Sequence, residues 1–130
     1  MATTVRYFDA VSEHSVERPV VTDDDVMAAV GVAGQIRTGR GTAAVVVERG
    51  DGSTLTWASD GERAALIWID YLGQSFHSTG GVPGPSLIYD YFGSWSEVPS
   101  EWALPASKAL KALVHFAAGG NEIGVTFELD

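Results

Sequence analysis

The chain has 130 residues, 17 Asp and Glu against 8 Lys and Arg, a formal net charge of −9, and no cysteine. That length suits one domain, 1–130, and 45% hydrophobic residues suffice for a core, which excludes the low-hydrophobicity, high-charge composition of a disordered chain. The acid excess excludes general affinity for DNA, RNA or anionic lipid, and the missing cysteine removes disulfide scaffolds, thiolate zinc sites and cysteine nucleophiles.

Residues 4–8 (Thr-Val-Arg-Tyr-Phe) are β-formers and read as an opening strand. Residues 9–21 have mixed polarity and one proline, Pro19, and read as a loop or strand remnant. Thr22 can cap a helix whose first turn holds Asp23, Asp24 and Asp25, where the helix dipole favours negative charge. Val26, Met27, Ala28, Ala29 and Val30 continue it, and Gly31 or Gly34 ends it. The acidic triplet is a solvated first turn, because a metal needs carboxylates converging from several directions. Gly39-Arg40-Gly41-Thr42 leads into a strand and lacks the Lys-Ser/Thr of a phosphate-binding loop, so it reads as a turn.

The middle of the chain is rich in β-formers. Residues 42–49 form a strand, 50–53 (Gly-Asp-Gly-Ser) a hairpin turn, and 54–57 the returning strand. A second turn at 59–62 precedes residues 64–72, the longest apolar run and the expected central strand. Gly73-Gln74 turns into an alternating strand at 75–79, and 80–85 is a loop on composition. Residues 86–92 return as a strand, and Tyr89-Asp90-Tyr91-Phe92-Gly93 echoes Ile69-Asp70-Tyr71-Leu72-Gly73. Residues 94–104 form an acidic, aromatic connection to a helix that Pro105 opens and Gly119-Gly120 stops. Leu110, Leu113, Val114 and Ala117 give that helix its apolar face, and residues 124–129 supply a last strand. The expected order is β-α-β-β-β-β-β-α-β: an α+β domain with a mostly antiparallel meander and two helices packed on one face.

Candidate chemistry is sparse. His115 lies in the last helix. His77 stands beside Ser75 and Ser78, and Asp70 on a neighbouring strand completes the outline of a Ser-His-Asp relay, although no Gly-x-Ser-x-Gly elbow accompanies it. Two carboxylates for glycoside chemistry are available among Asp70, Asp90, Glu97 and Glu101, at separations the sequence does not fix. Metal-binding histidine spacings and EF-hand spacings are missing, so no metal and no cofactor is expected.

One region stands out. Residues 64–107 hold four acids, Asp70, Asp90, Glu97 and Glu101, and no Lys or Arg. They also hold Trp68, Trp95, Trp102, Tyr71, Tyr89 and Tyr91. Trp68 and Tyr89 sit mid-strand and read as core. The others, Asp70, Tyr71, Asp90, Tyr91, Trp95, Glu97, Glu101 and Trp102, form a candidate surface for a cationic partner: aromatic rings anchor, and carboxylates accept hydrogen bonds from Arg or Lys.

The run 66–80 (Leu-Ile-Trp-Ile-Asp-Tyr-Leu-Gly-Gln-Ser-Phe-His-Ser-Thr-Gly) resembles the apolar strand, glycine turn and polar strand of immunity protein family one of bacterial polymorphic toxin systems. The resemblance continues through Tyr89-Asp90-Tyr91-Phe92-Gly93, the acidic link to Val98-Pro99, the helix at 106–118 with its Gly-Gly end, and Val125-Thr126-Phe127-Glu128. It covers residues 42–130 and rests on order, spacing and residue type. It implies a cytoplasmic, non-catalytic inhibitor encoded with a secreted toxin, in a family whose targets include DNA deaminase toxins. The implied mechanism is occlusion of the toxin's active site or its basic substrate groove. The charge agrees with this independently, since an acidic protein competes with phosphate for a basic groove.

The expected function is therefore a cytoplasmic immunity protein for one cognate toxin, with no nucleic-acid or membrane partner. Alternatives are a structural adaptor, a ligand-binding domain, or a small hydrolase using Asp70 and His77. An exposed strand edge leaves a homodimer open.

Overall fold

The computed structural model describes residues 2–38, 41–120 and 124–130. Its strands and helices run in the order β1 (Thr4–Asp9), β2 (His14–Pro19), α1 (Asp23–Ala33), β3 (Arg37–Thr38), β4 (Gly41–Thr42), β5 (Val45–Glu48), β6 (Thr54–Ser59), β7 (Arg63–Ile69), β8 (Ser75–Thr79), β9 (Leu87–Tyr91) and β10 (Ser94–Val98). A 3-10 turn (Ser100–Trp102), β11 (Leu104–Pro105), α2 (Ala106–Ala117) and β12 (Thr126–Leu129) complete it. The fold is α+β, with a mostly antiparallel sheet and two helices on one of its faces.

The large sheet has the order β12-β8-β7-β6-β5-β1-β2, with β11 pairing the first residues of β7. All its ladders are antiparallel. Strand alternation sends Val5, Tyr7, Val45, Val47, Leu55, Trp57 and Leu66 to one face, where they meet Val26, Ala29 and Ala33 of α1 and Ala109, Ala112, Leu113 and Phe116 of α2. In α1 the Asp25 carboxylate accepts the N–H groups of Val21 (2.7 Å) and Thr22 (2.9 Å), and these bonds hold its carboxyl below the usual range. Arg49, from the β5–β6 hairpin, closes the far end of α2. Its Nε donates to the Phe116 carbonyl at 2.8 Å, its Nη2 donates to the Gly120 carbonyl, and its guanidinium lies 3.8 Å over the Phe116 ring.

The opposite face carries a second layer. Ala44, Ala58 and Ala65 present methyl groups there, and Leu87, Tyr89, Val98 and Ala103 pack on them. This layer consists of the β9–β10 hairpin and the short β3–β4 ladder, joined by one parallel bridge between Ala43 and Asp90. Gly41 makes the join close: a Cβ there would lie 2.5 Å from the Ile88 carbonyl oxygen and 2.6 Å from the Tyr89 Cα.

Several expectations are corrected. Residues 9–21 contain a full strand, β2, held because Val16 covers the core next to Tyr7. Residues 42–49 break at Ala43-Ala44, where the chain crosses between layers. Residues 64–72 stop being strand at Ile69, and the middle of the large sheet is β6, not β7. Residues 86–92 do not extend the meander: β8 pairs with β12 instead, so β9 buries its apolar side by stacking. Residues 94–104 are not a connection but hold β10, the 3-10 turn and the start of β11. Gly31 is absorbed into α1 and Gly34 caps it. Of the turn expected at 39–42, Gly39 and Arg40 lie outside the described residues. Among the described residues no helix is long and apolar enough to cross a membrane.

Candidate partner-binding surface

The eight residues expected to meet a partner fall in three places. The first is the outer side of the β9–β10 hairpin. Its register pairs Asp90 with Trp95 and Ile88 with Glu97, which puts all four side chains on one face. Trp95 is 58% exposed there, and Ile88, Trp95, Ser96 and Glu97 line a cleft of about 200 Å³. Asp90 is 4% exposed and is occupied locally: its Oδ1 accepts the Gly93 N–H at 2.9 Å, and its main-chain carbonyl accepts the Ala44 N–H at 2.8 Å. Tyr91 pairs with Ser94 on the other side, its ring edge-on to Phe92 at 5.1 Å. The hairpin loop is two residues long, with Phe92 at φ +51° and Gly93 at φ +93°, the geometry of a type I′ turn.

The second place is the 3-10 turn. Glu101 is exposed, and its main-chain carbonyl accepts the N–H groups of Gly80 and Gly81 at 3.1 Å each. Trp102 is half-buried and stacks on His77 with ring centres 4.1 Å apart and planes 5° from parallel. The third place is the β7–β8 turn. Asp70 Oδ1 accepts the N–H groups of Leu72 and Gln74 at 2.9 Å each, so the aspartate shapes the turn, while Tyr71 and Leu72 stand exposed.

A fourth group was not expected from the sequence. His77 Nδ1 lies 2.5 Å from Asp130 Oδ1, and its Nε2 lies 3.7 Å from Glu128 Oε2. Ser75 Oγ donates to the other Asp130 oxygen at 2.6 Å. Burial pushes the Asp130 carboxyl up, but the bonds from Ser75 and His77 and the His77 charge outweigh it and leave the carboxyl below its ordinary value. The acid beside His77 is therefore Asp130, and the Asp70 relay is corrected: Asp70 lies beyond Ile69, where the β7–β8 ladder ends. Ser75 gives its proton to the carboxylate and not to the imidazole, so this is not a nucleophile–base pair. The pattern Val125-Thr126-Phe127-Glu128 showed an alternating strand, but only the β8–β12 register, with Glu128 opposite His77, reveals the neighbours.

One cation, Arg37, stands on β3 in the same layer as the hairpin. Residues 64–107 and 124–130 contain no Lys or Arg. Arg63 is 8% exposed and binds Asp60 through Nη2 at 3.0 Å and Nε at 3.2 Å. Arg6 pairs with Glu48 at 2.9 Å, and Arg49 is tied to the end of α2. Lys108 and Lys111 stand exposed on α2, on the helix side of the sheet. The β9–β10 hairpin thus carries acids and exposed aromatic rings and no cation of its own, with Arg37 in the ladder beside it. Among the described residues no group of three or more His, Asp or Glu is arranged to hold a metal. A separate cleft of about 500 Å³ runs between α1 and the β1–β2 hairpin, lined among others by Tyr7, Val16, Arg18, Val21, Asp25 and Val32.

The chain matches no family model, and no curated protein matches it. Fold and surface define a three-layer α+β domain with an acidic, aromatic hairpin on the side away from its helices.

Proposed function

We propose that the protein is an immunity protein that binds and neutralises a cognate secreted toxin. The toxin is a nucleic-acid-targeting deaminase, blocked by occlusion of its active site or basic substrate groove. The observation that carries the reading is the distribution of charge. The exposed Glu97 and Glu101 lie in a segment without Lys or Arg, beside the exposed Trp95 and Tyr91. Any enzyme that grips nucleic acid needs a basic groove, and such a surface competes with phosphate for it. The sequence resemblance to immunity protein family one supports the same reading, and with it a cytoplasmic location.

The test is co-expression of the protein with the toxin encoded beside it. Cells survive only when the protein is present, and the purified pair runs as one equimolar species on gel filtration. Failure to form a complex with any neighbouring toxin refutes the reading. The α1–β2 cleft favours a second reading, a domain that binds a small molecule, since its volume lies in the range of ligand sites. That reading predicts ligand-induced stabilisation that Val32→Trp removes while toxin protection is unchanged.

A further inference from the structure

The outer face of the β9–β10 hairpin has a shape that charge alone does not give. Trp95 and Glu97 are two residues apart on β10 and project to the same side, about 7 Å from each other along the strand. Between them lies the cleft of about 200 Å³, with Ile88 from β9 and Ser96 as its other lining residues. One wall is a flat indole, 58% open to solvent. The opposite wall is an exposed carboxylate with no ion-pair partner among the described residues. The neighbouring Asp90 adds negative potential at the base of Trp95.

We infer that this cleft is a receptor for an arginine side chain of the partner protein, the guanidinium stacking on Trp95 and donating to the Glu97 carboxylate. The inference deepens the immunity reading and depends on it only for the partner's identity. Arginine fits better than lysine because its planar group stacks on a ring face and presents parallel N–H donors to a carboxylate at once. An anion is repelled by Glu97 and Asp90, and a purely apolar group would strip water from Glu97 without replacing its hydrogen bonds. The walls stand on paired strands closed by a two-residue turn, so binding orders few groups that were free before.

The test uses the full chain, labelled with 15N, and two small probes of equal shape. Arginine amide carries the charge and citrulline amide lacks it. The Trp95 indole resonance is assigned by its disappearance in Trp95→Phe. Arginine amide is expected to shift that resonance, citrulline amide to leave it in place, and Glu97→Gln to weaken the arginine response about tenfold, the loss of one charge-assisted hydrogen bond. Unchanged resonances elsewhere in Glu97→Gln establish that it is folded. Equal shifts with both probes, a response centred away from Trp95, or an unaltered response in Glu97→Gln overturns the inference. Because the titration needs no toxin, the two readings fail separately. A complex with the toxin but no arginine response removes this receptor and leaves the immunity reading standing. An arginine response without any toxin complex does the reverse.

Discussion

Replacing Ser78 with alanine removes one hydroxyl from a site that no solvent reaches. Ser78 is 0% exposed on β8, at the point where β7 passes from pairing with β8 to pairing with β11. Its Oγ accepts the Leu66 N–H at 2.9 Å and donates to the Trp102 carbonyl at 2.6 Å, so one hydroxyl closes the gap in the ladder and ties the 3-10 turn to the sheet. In Ser78→Ala both main-chain groups lose this partner, the Leu66 N–H at a buried position and the Trp102 carbonyl at a part-buried one. An orphaned buried group costs on the order of 1–3 kcal/mol and the part-buried carbonyl less, which gives about 3 kcal/mol for the pair. At roughly 4 °C per kcal/mol for a domain of this size, the melting midpoint falls by about 12 °C. Urea unfolding followed by tryptophan fluorescence measures the difference, and near-UV circular dichroism reports on the Trp102–His77 stack at the same time. A loss under about 0.5 kcal/mol, the scale of an ordinary surface change, refutes the argument that Ser78 is a structural hydrogen-bond relay.

Three further outcomes are expected. Asp130 has its carboxyl held below the ordinary value in the folded state, so its contribution is present above the unfolded value near pH 4 and is lost as pH falls through the folded one; urea midpoints of Asp130→Asn then fall less steeply than the parent's below about pH 4. Gly41→Ala forces a Cβ to within 2.5 Å of the Ile88 carbonyl oxygen and destabilises the fold by about 2 kcal/mol, read as a lower denaturation midpoint. Glu97→Lys with Glu101→Lys, both at exposed positions, leaves stability within about 0.5 kcal/mol but slows association with the toxin and weakens its salt dependence, measured by stopped flow at two ionic strengths.

The parts of this fold written in short-range pattern were legible in the sequence. Thr22 with three aspartates marks the start of α1, Gly50-Asp51-Gly52-Ser53 marks the β5–β6 hairpin, and Pro105 marks the start of α2. What was not legible depends on which strands find each other. Ser94-Trp95-Ser96-Glu97-Val98 lacks a continuous apolar side and reads as a link, yet it is a strand because β9 offers it a ladder and Val98 a core contact. The candidate site divides in the same way. Trp95 and Glu97 are exposed as composition suggested. Asp70 and Asp90, assigned to the partner surface on composition, are instead spent on turns, each accepting main-chain N–H. The neighbourhood of His77, Glu128 and Asp130 spans more than fifty positions of chain and follows only from β8–β12 pairing.

The alanine floor beneath the second layer has a consequence for how the molecule opens. Ala44, Ala58 and Ala65 let the hairpin approach, but methyl groups bury little area compared with the Leu, Val and Phe side chains on the helix side. Apart from the Ala43–Asp90 bridge, no ladder among the described residues binds the hairpin to the large sheet. The hairpin therefore opens at a lower free energy than the central strands, and its amide protons exchange with solvent ahead of those of β6 and β7. A binding arm that unlatches while its platform stays folded can settle onto a partner in steps, its own β9–β10 ladder keeping the two strands in register.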